Sequence, residues 1–224
     1  VRQAIRFNVT EGSSVIMANN ENIFQSTEPQ PLLIVISGPS GVGKDAVVQR
    51  LKDRKLDFHF VVTTTTRKMR ASEVDGVDYN FVSEDEFLRM IAADELIEHA
   101  IVYNQYKGVP KAQVRAALAS GKDVVMRLDV QGAERVRQLC PSAVLIFLVP
   151  TNEEEWYIRL RDRKTETPEE LKVRYATARG EMEKIGLFDY VVTNAQDHLD
   201  DCVDRIIAIV TAEHLRVVPR KITL

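Results

Sequence analysis

The sequence has little cysteine, no excess of charge of one sign and no long apolar run. Its 224 residues include 2 cysteines, Cys140 and Cys202. They lie far apart and share no metal-ligand spacing, which excludes a disulfide framework and a zinc finger and leaves two reduced thiols in or near a core. Lys and Arg number 30 against 33 Asp and Glu, a net charge of −3. That balance carries no whole-protein footprint for nucleic acid, and no nucleic-acid partner is expected. The longest apolar run, Ala143 to Val149, falls far short of the roughly 20 residues that cross a bilayer, so an integral membrane protein is excluded. No internal repeat or low-complexity tract is seen. Residues 1–31 lack the apolar core of a signal peptide. They carry turn signals at Gly12-Ser13-Ser14 and Asn19-Asn20-Glu21-Asn22 and read as an N-terminal extension. The chain starts at Val1 rather than Met, which fits a processed or trimmed product.

What is present is an ordinary globular composition, 45% hydrophobic and 28% charged. The length suits one domain with inserted lobes. Leu32 to Ser37 is a continuous apolar run with β-branched residues, ending at a glycine, the pattern of a strand buried on both faces. Asp123 to Leu128, Ala143 to Val149 and Asp189 to Thr193 repeat it. Helical patterns alternate with these strands: Lys44 to Asp53, Pro110 to Ser120, Gly132 to Leu139, Thr151 to Arg163, Thr167 to about Lys184, and Leu199 to Leu215. Thr151 with Glu154 reads as a capping box; Thr167-Pro168 reads as an N-cap followed by proline at the first helical position. Alternation of this kind predicts an α/β fold with a parallel sheet. From Phe58 to Val102 the pattern changes to short strands, Val61 to Thr66, Tyr79 to Val82 and Leu96 to Val102, around one helix opened by Ser83 and Glu86. It reads as a small mixed lobe inserted into the core.

Gly38-Pro39-Ser40-Gly41-Val42-Gly43-Lys44 joins the first strand to the first helix. This is G-x-x-x-x-G-K in the strand–loop–helix setting that gives the motif meaning. Backbone N–H groups of Ser40, Gly41, Val42 and Gly43 wrap phosphates, the helix start at Ala46 adds partial positive charge, and Lys44 reaches the outer phosphates. The next residue is Asp45, where the motif calls for Ser or Thr on Mg²⁺. A carboxylate is also a hard-oxygen ligand for Mg²⁺, directly or through water; the alternative is a helix-capping role.

Downstream, Arg67, Arg70, Glu73 and Tyr79 sit in one short segment. Two arginines and a phenol are suited to converge on one phosphate. With this block in view the sequence resembles guanylate kinases, the nucleoside monophosphate kinases that act on GMP. The matching pieces are the glycine loop, Thr65-Thr66-Arg67 through Asp78-Tyr79-Asn80-Phe81, Ile97-Glu98-His99-Ala100, Asp129-Val130-Gln131-Gly132, Thr165-Glu166-Thr167 and Phe188-Asp189 with Asn194. They run in the family's order over most of the chain. The resemblance implies a three-layer α/β/α P-loop fold with a parallel five-stranded core sheet, an inserted mixed GMP-binding lobe (58–102) and a helical lid (151–185). The core would comprise 32–57, 103–150 and 186–215, with a tail at 216–224. It implies Mg²⁺-dependent transfer from ATP to GMP, with dGMP also expected, and a monomer or weak homodimer. Arg67, Arg70, Glu73, Tyr79 and Lys107 would serve the GMP phosphate, Thr63 and Glu98 the base, and Asp129 would lie near both nucleotides. Glu98 matches guanine because its carboxylate accepts from N1–H and the exocyclic amine, whereas adenine offers a lone pair there. Lys44, Arg70, Arg163 and Arg174 would act on the transferring group, and Arg159 and Asn194 would lie along ATP.

Three departures from the family pattern stand out. Tyr106-Lys107-Gly108-Val109 replaces a phenol by Lys107 and a hydroxyl by Val109. Arg127-Leu128-Asp129 has arginine where the family has a carboxylate. Asp45 supplies a carboxylate in the loop, so the two changes are expected to be coupled, Arg127 neutralising or orienting Asp45. Organellar guanylate kinases of plants carry a similar Gly-Lys-Asp variant, which implies a plastid or mitochondrial location, with the cytosol as alternative. Two other readings of the chain are a phosphopeptide-binding module of the same fold and a kinase for another monophosphate; Lys44 argues against the first and Glu98 against AMP.

Overall fold

In the computed structural model, which describes residues 29–71, 73–102, 105–161 and 168–224, the apolar runs lie side by side as one parallel sheet. β1 (Leu33–Ser37) is central, between β7 (Asp123–Arg127) and β8 (Val144–Val149). β2 (Phe58–Phe60) and β9 (Tyr190–Thr193) form the edges, giving the order β2-β7-β1-β8-β9. Alternation along β1 decides the layers. Ile34 and Ile36 pack with Val47 and Leu51 of α1 (Lys44–Asp53) and with Val203 and Ile206 of α7 (Leu199–His214). Leu33 and Val35 pack with Val114 of α3 (Lys111–Ala119) and Val136 of α4 (Val130–Leu139). A strand covered on both faces must be apolar throughout, which is why it reads as an unbroken run.

The second sheet has the order β4-β3-β6-β5, formed by β3 (Thr64–Thr65), β4 (Asn80–Phe81), β5 (Leu96–Val102) and β6 (Gln105–Pro110). Ser83 caps α2 (Glu84–Ala92) by accepting the Glu86 N–H at 3.1 Å. Phe87 of that helix stacks on Tyr106, holding the helix to the sheet. Two short segments lie differently from expectation. Phe58–Phe60 pairs with β7 as an edge of the core sheet, because its phenylalanines pack on the core cluster. Gln105–Pro110 belongs to the second sheet, antiparallel to β5 and β3. Among the described residues no helix is long and apolar enough to cross a membrane.

Helix starts also differ slightly. The cap of α5 (Glu153–Arg161) is Asn152, whose Oδ1 accepts the Glu155 N–H at 2.8 Å, so the expected Thr151 box shifts by one residue. α4 begins at Val130, earlier than expected, because Asp129 caps it through the Gly132 N–H at 2.8 Å. α6 (Pro168–Met182) stops short of Lys184 and continues as a 3₁₀ turn over Glu183–Leu187. Thr167, its expected cap, lies outside the described residues.

The end of the chain is fastened to the sheet through one buried carboxylate. Glu213 is 2% exposed. It accepts from Arg220 Nε and Nη2, each at 2.8 Å, and from the Tyr190 hydroxyl at 2.5 Å. Arg220→Ala would leave that buried charge with only the longer ion pair to Arg216, at 3.6 Å, a change that costs about 3 kcal/mol. Urea unfolding is expected to show a loss of that size, and a loss below about 1 kcal/mol would contradict the assignment.

Candidate active site

β1 delivers the chain into the glycine loop and α1 carries it away. At Gly38 φ is 144°, and a Cβ there would lie 2.5 Å from the Leu148 carbonyl oxygen, so the loop can start against β8 only with glycine. Gly43, at φ 94°, caps α1. Lys44 folds back over the loop, its Nζ donating to the Gly38 carbonyl at 2.5 Å and the Pro39 carbonyl at 3.1 Å. Burial pulls the Lys44 ammonium below its ordinary pKa, and the carboxylates of Glu181, Asp129 and Asp45 oppose that pull. Ala46 is exposed on the first turn of α1.

Side chains from three other elements hold the loop's backbone. Trp156 Nε1 of α5 donates to the Ser40 carbonyl at 2.7 Å. Asn194, after β9, donates to the Val42 carbonyl at 2.8 Å, and Arg159 Nη1 reaches the same oxygen at 3.4 Å. The Ser40 N–H in turn donates to Glu181 Oε2 of α6 at 3.0 Å. Asn194 and Arg159, expected along ATP, are therefore bonded to the loop itself; Arg159 is also paired with Glu155. Trp156 and Glu181 were not expected at the site. Neither belongs to a spacing motif, and their partners lie 116 and 141 residues away in sequence.

Beside the loop lies a cavity of about 380 Å³, lined by Lys44, Asp45, Thr63, Tyr79, Glu98, Ala100, Lys107, Arg127, Leu128 and Asp129. Both sheets contribute to it. The register of β5 shifts between Leu96 and Glu98. Ile97 goes into the core while Glu98 lines the cavity. Burial, with the nearby Asp129 charge adding, pushes the Glu98 carboxyl up to about 7. Arg67 and Glu73 do not line this cavity; Arg67 lies over the Tyr79 ring, 5.2 Å from its centre, and donates to Glu73 at 2.6 Å. Glu73 also accepts the Arg70 N–H at 2.8 Å, so it braces both arginines. Lys107 sits 5.8 Å from the Tyr79 ring centre. Val109 is 1% exposed and packs in the core, away from the cavity lining.

Arg70 is exposed and does not line the cavity, and Arg174 is half-buried on α6, also off its lining. Arg163 and Thr165-Glu166-Thr167 lie outside the described residues. Arg127 and Asp45, both lining the cavity, form the expected ion pair. Among the described residues no group of three or more His, Cys, Asp or Glu is placed to hold a metal by itself. Asp45 and Asp129, two hard-oxygen donors next to the phosphate loop, instead fit Mg²⁺ held jointly with nucleotide phosphates and water. Because the Gly38 Cβ would strike backbone, Gly38→Ala is expected to cost about 2 kcal/mol or more. Thermal unfolding should also lose any shift produced by ATP; an unchanged midpoint would contradict the packing described.

The family model described as guanylate kinase matches residues 30–213. Guanylate kinase 2, chloroplastic/mitochondrial, of Oryza sativa subsp. japonica is 50% identical over 197 residues, 88% of this chain and 69% of its own. The guanylate kinase of Caldanaerobacter subterraneus subsp. tengcongensis is 44% identical over 192 residues, 86% of this chain and 92% of its own. The crystal structure of guanylate kinase from Anaplasma phagocytophilum superposes with a TM-score of 0.68 at 28% identity, covering 86% of this chain and 91% of that one. With that match running through the loop, both sheets and the last helix, the chain belongs to the guanylate kinase family.

Proposed function

We propose that the protein transfers the terminal phosphoryl group of ATP to GMP, giving ADP and GDP. The observation that carries the reading is one cavity lined both by the loop lysine, Lys44, and by the half-buried Glu98. The first suits a nucleoside triphosphate and the second suits the N1–H and amino edge of guanine. Thr63 would lie beside the base. Tyr79, Lys107 and Arg67, with Arg70 swinging in from its exposed loop, would hold the GMP phosphate. The second sheet and its helix would then be the GMP lobe, and α5 with α6 the lid that carries Arg163 and Arg174 toward the transferring group.

The attacking atom is a phosphate oxygen of GMP that is already ionised near neutral pH, so no side chain has to remove a proton. The protein's task is to hold two anions in line and keep water away. Lys44 would leave the Gly38 and Pro39 carbonyls for the outer phosphates of ATP, while the loop N–H groups take the inner ones. Asp45 and Asp129 would hold Mg²⁺, which supplies charge neutralisation to the phosphates when bound. The Arg127 partner orients Asp45 and offsets its charge, so that the carboxylate can stand beside phosphates.

A coupled ADP-release assay with GMP, AMP, CMP and UMP tests the reading. Turnover with GMP is expected to exceed the others by about a hundredfold or more. Lys44→Ala should lower it by a comparable factor. Equal turnover of AMP, or an active Lys44→Ala protein, would contradict it. Asp45→Ser should lower turnover and raise the Mg²⁺ concentration needed for half-maximal rate. An unchanged Mg²⁺ dependence would remove Asp45 from the metal site. The Gly43-Lys44-Asp45 junction and the similarity to a rice relative named chloroplastic/mitochondrial support a plastid or mitochondrial location. A fluorescent fusion of the full-length protein confined to the cytosol would contradict that.

A further inference from the structure

We infer that Glu181 is a positioning residue of the phosphate loop, an internal anion on the Ser40 N–H that the triphosphate of ATP has to displace. The inference rests on the reading of this loop as the ATP site. Glu181 comes from α6, and its Oε2 accepts the Ser40 N–H at 3.0 Å. The charges of Glu181, Asp129 and Asp45 all oppose the burial that lowers the Lys44 pKa. Burial pushes the Glu181 carboxyl above its ordinary value; the Ser40 N–H and the Lys44 charge pull the other way.

The other contacts to the loop differ in kind. Trp156 and Asn194 are neutral donors to its carbonyls, and Arg159 adds a positive one. Asp45 is tied to Arg127, and Asp129 caps α4 through Gly132. Among the described residues Glu181 is thus the carboxylate bonded to the loop's own backbone. A negative group at that point keeps a loop N–H turned to receive an anion and keeps Lys44 charged in a buried setting. The same charge repels an arriving phosphate. Glu181 therefore lowers ATP affinity while keeping the loop in shape.

The two effects separate by substitution in the full chain. Glu181→Gln keeps an oxygen that can accept from Ser40 and removes the charge. Glu181→Asp keeps the charge on a shorter arm. The dissociation constant for ATP with excess Mg²⁺ is measured by titration calorimetry near neutral pH, with the thermal midpoint of each protein and the KM values for ATP and GMP. Glu181→Gln is expected to bind ATP about three- to tenfold more tightly, the size of one charge at a partly screened site. Its KM for ATP should fall and its KM for GMP stay within about twofold, since the guanine end of the cavity does not include residue 181. Glu181→Asp should not bind ATP more tightly. Unchanged or weaker ATP binding in Glu181→Gln would overturn the inference, as would tightening in Glu181→Asp. If the wild-type chain bound no ATP, the reading of the loop would fail first and the role of Glu181 with it.

Discussion

The backbone of the Gly38–Lys44 loop is the constraint on which the site depends. Its shape is not self-supporting. Three glycines in it stand at positive φ, which glycine takes without strain but at a large cost in conformational entropy when it is ordered. The holding groups come from α5, α6 and the end of β9, and they bond to the Ser40 and Val42 peptide groups. Lys44 adds the internal tie to Gly38 and Pro39. The helices that reach over the loop are thereby coupled to the backbone that would bind phosphate, and a change at one is felt at the other.

Charge is the second organising factor. The cavity brings Lys44, Lys107 and Arg127 together with Asp45, Glu98 and Asp129. Two polyanions cannot enter such a space unless the carboxylates are occupied or neutral. Asp45 is occupied by Arg127 and Asp129 by a helix N-terminus. Glu98 is kept near neutrality by burial and by Asp129, with its carboxyl pushed up to about 7. Glu98 thus ionises at little cost when a ligand offers two donors to it.

Most of the architecture was legible in the sequence because periodicity and burial coincide there. β1, α1, β7, β8 and α7 carry unbroken or strictly periodic apolar patterns. β6 was hidden because Lys107, Gly108 and Pro110 break both alternation and strand propensity; it is held by pairing on two sides. Phe58–Phe60 is too short to show a period, and its place at the core edge comes from packing. Among the cavity-lining residues, Thr63, Tyr79, Glu98 and Asp129 were named by the resemblance, Lys107 as a departure from its pattern, and the Arg127–Asp45 pairing from two departures that compensate in charge. Glu181 and Trp156 were not, since their importance lies in contacts with a loop more than a hundred residues away. Asn194 was placed near the nucleotide by resemblance, yet its amide is bonded to the Val42 carbonyl.

In the proposed reaction Glu98 would read guanine by ionising against it. Near pH 7 a carboxyl of that kind is about half protonated, so binding GMP should release roughly half a proton from it. Calorimetric titration of GMP in two buffers of different ionisation enthalpy measures that release, with Glu98→Gln removing the Glu98 share and leaving that of the phosphate. The account predicts a larger release from the wild type than from the variant, growing as pH falls below about 7. It also predicts that AMP binds far more weakly. Equal proton release from the two proteins, or AMP bound as tightly as GMP, would contradict it.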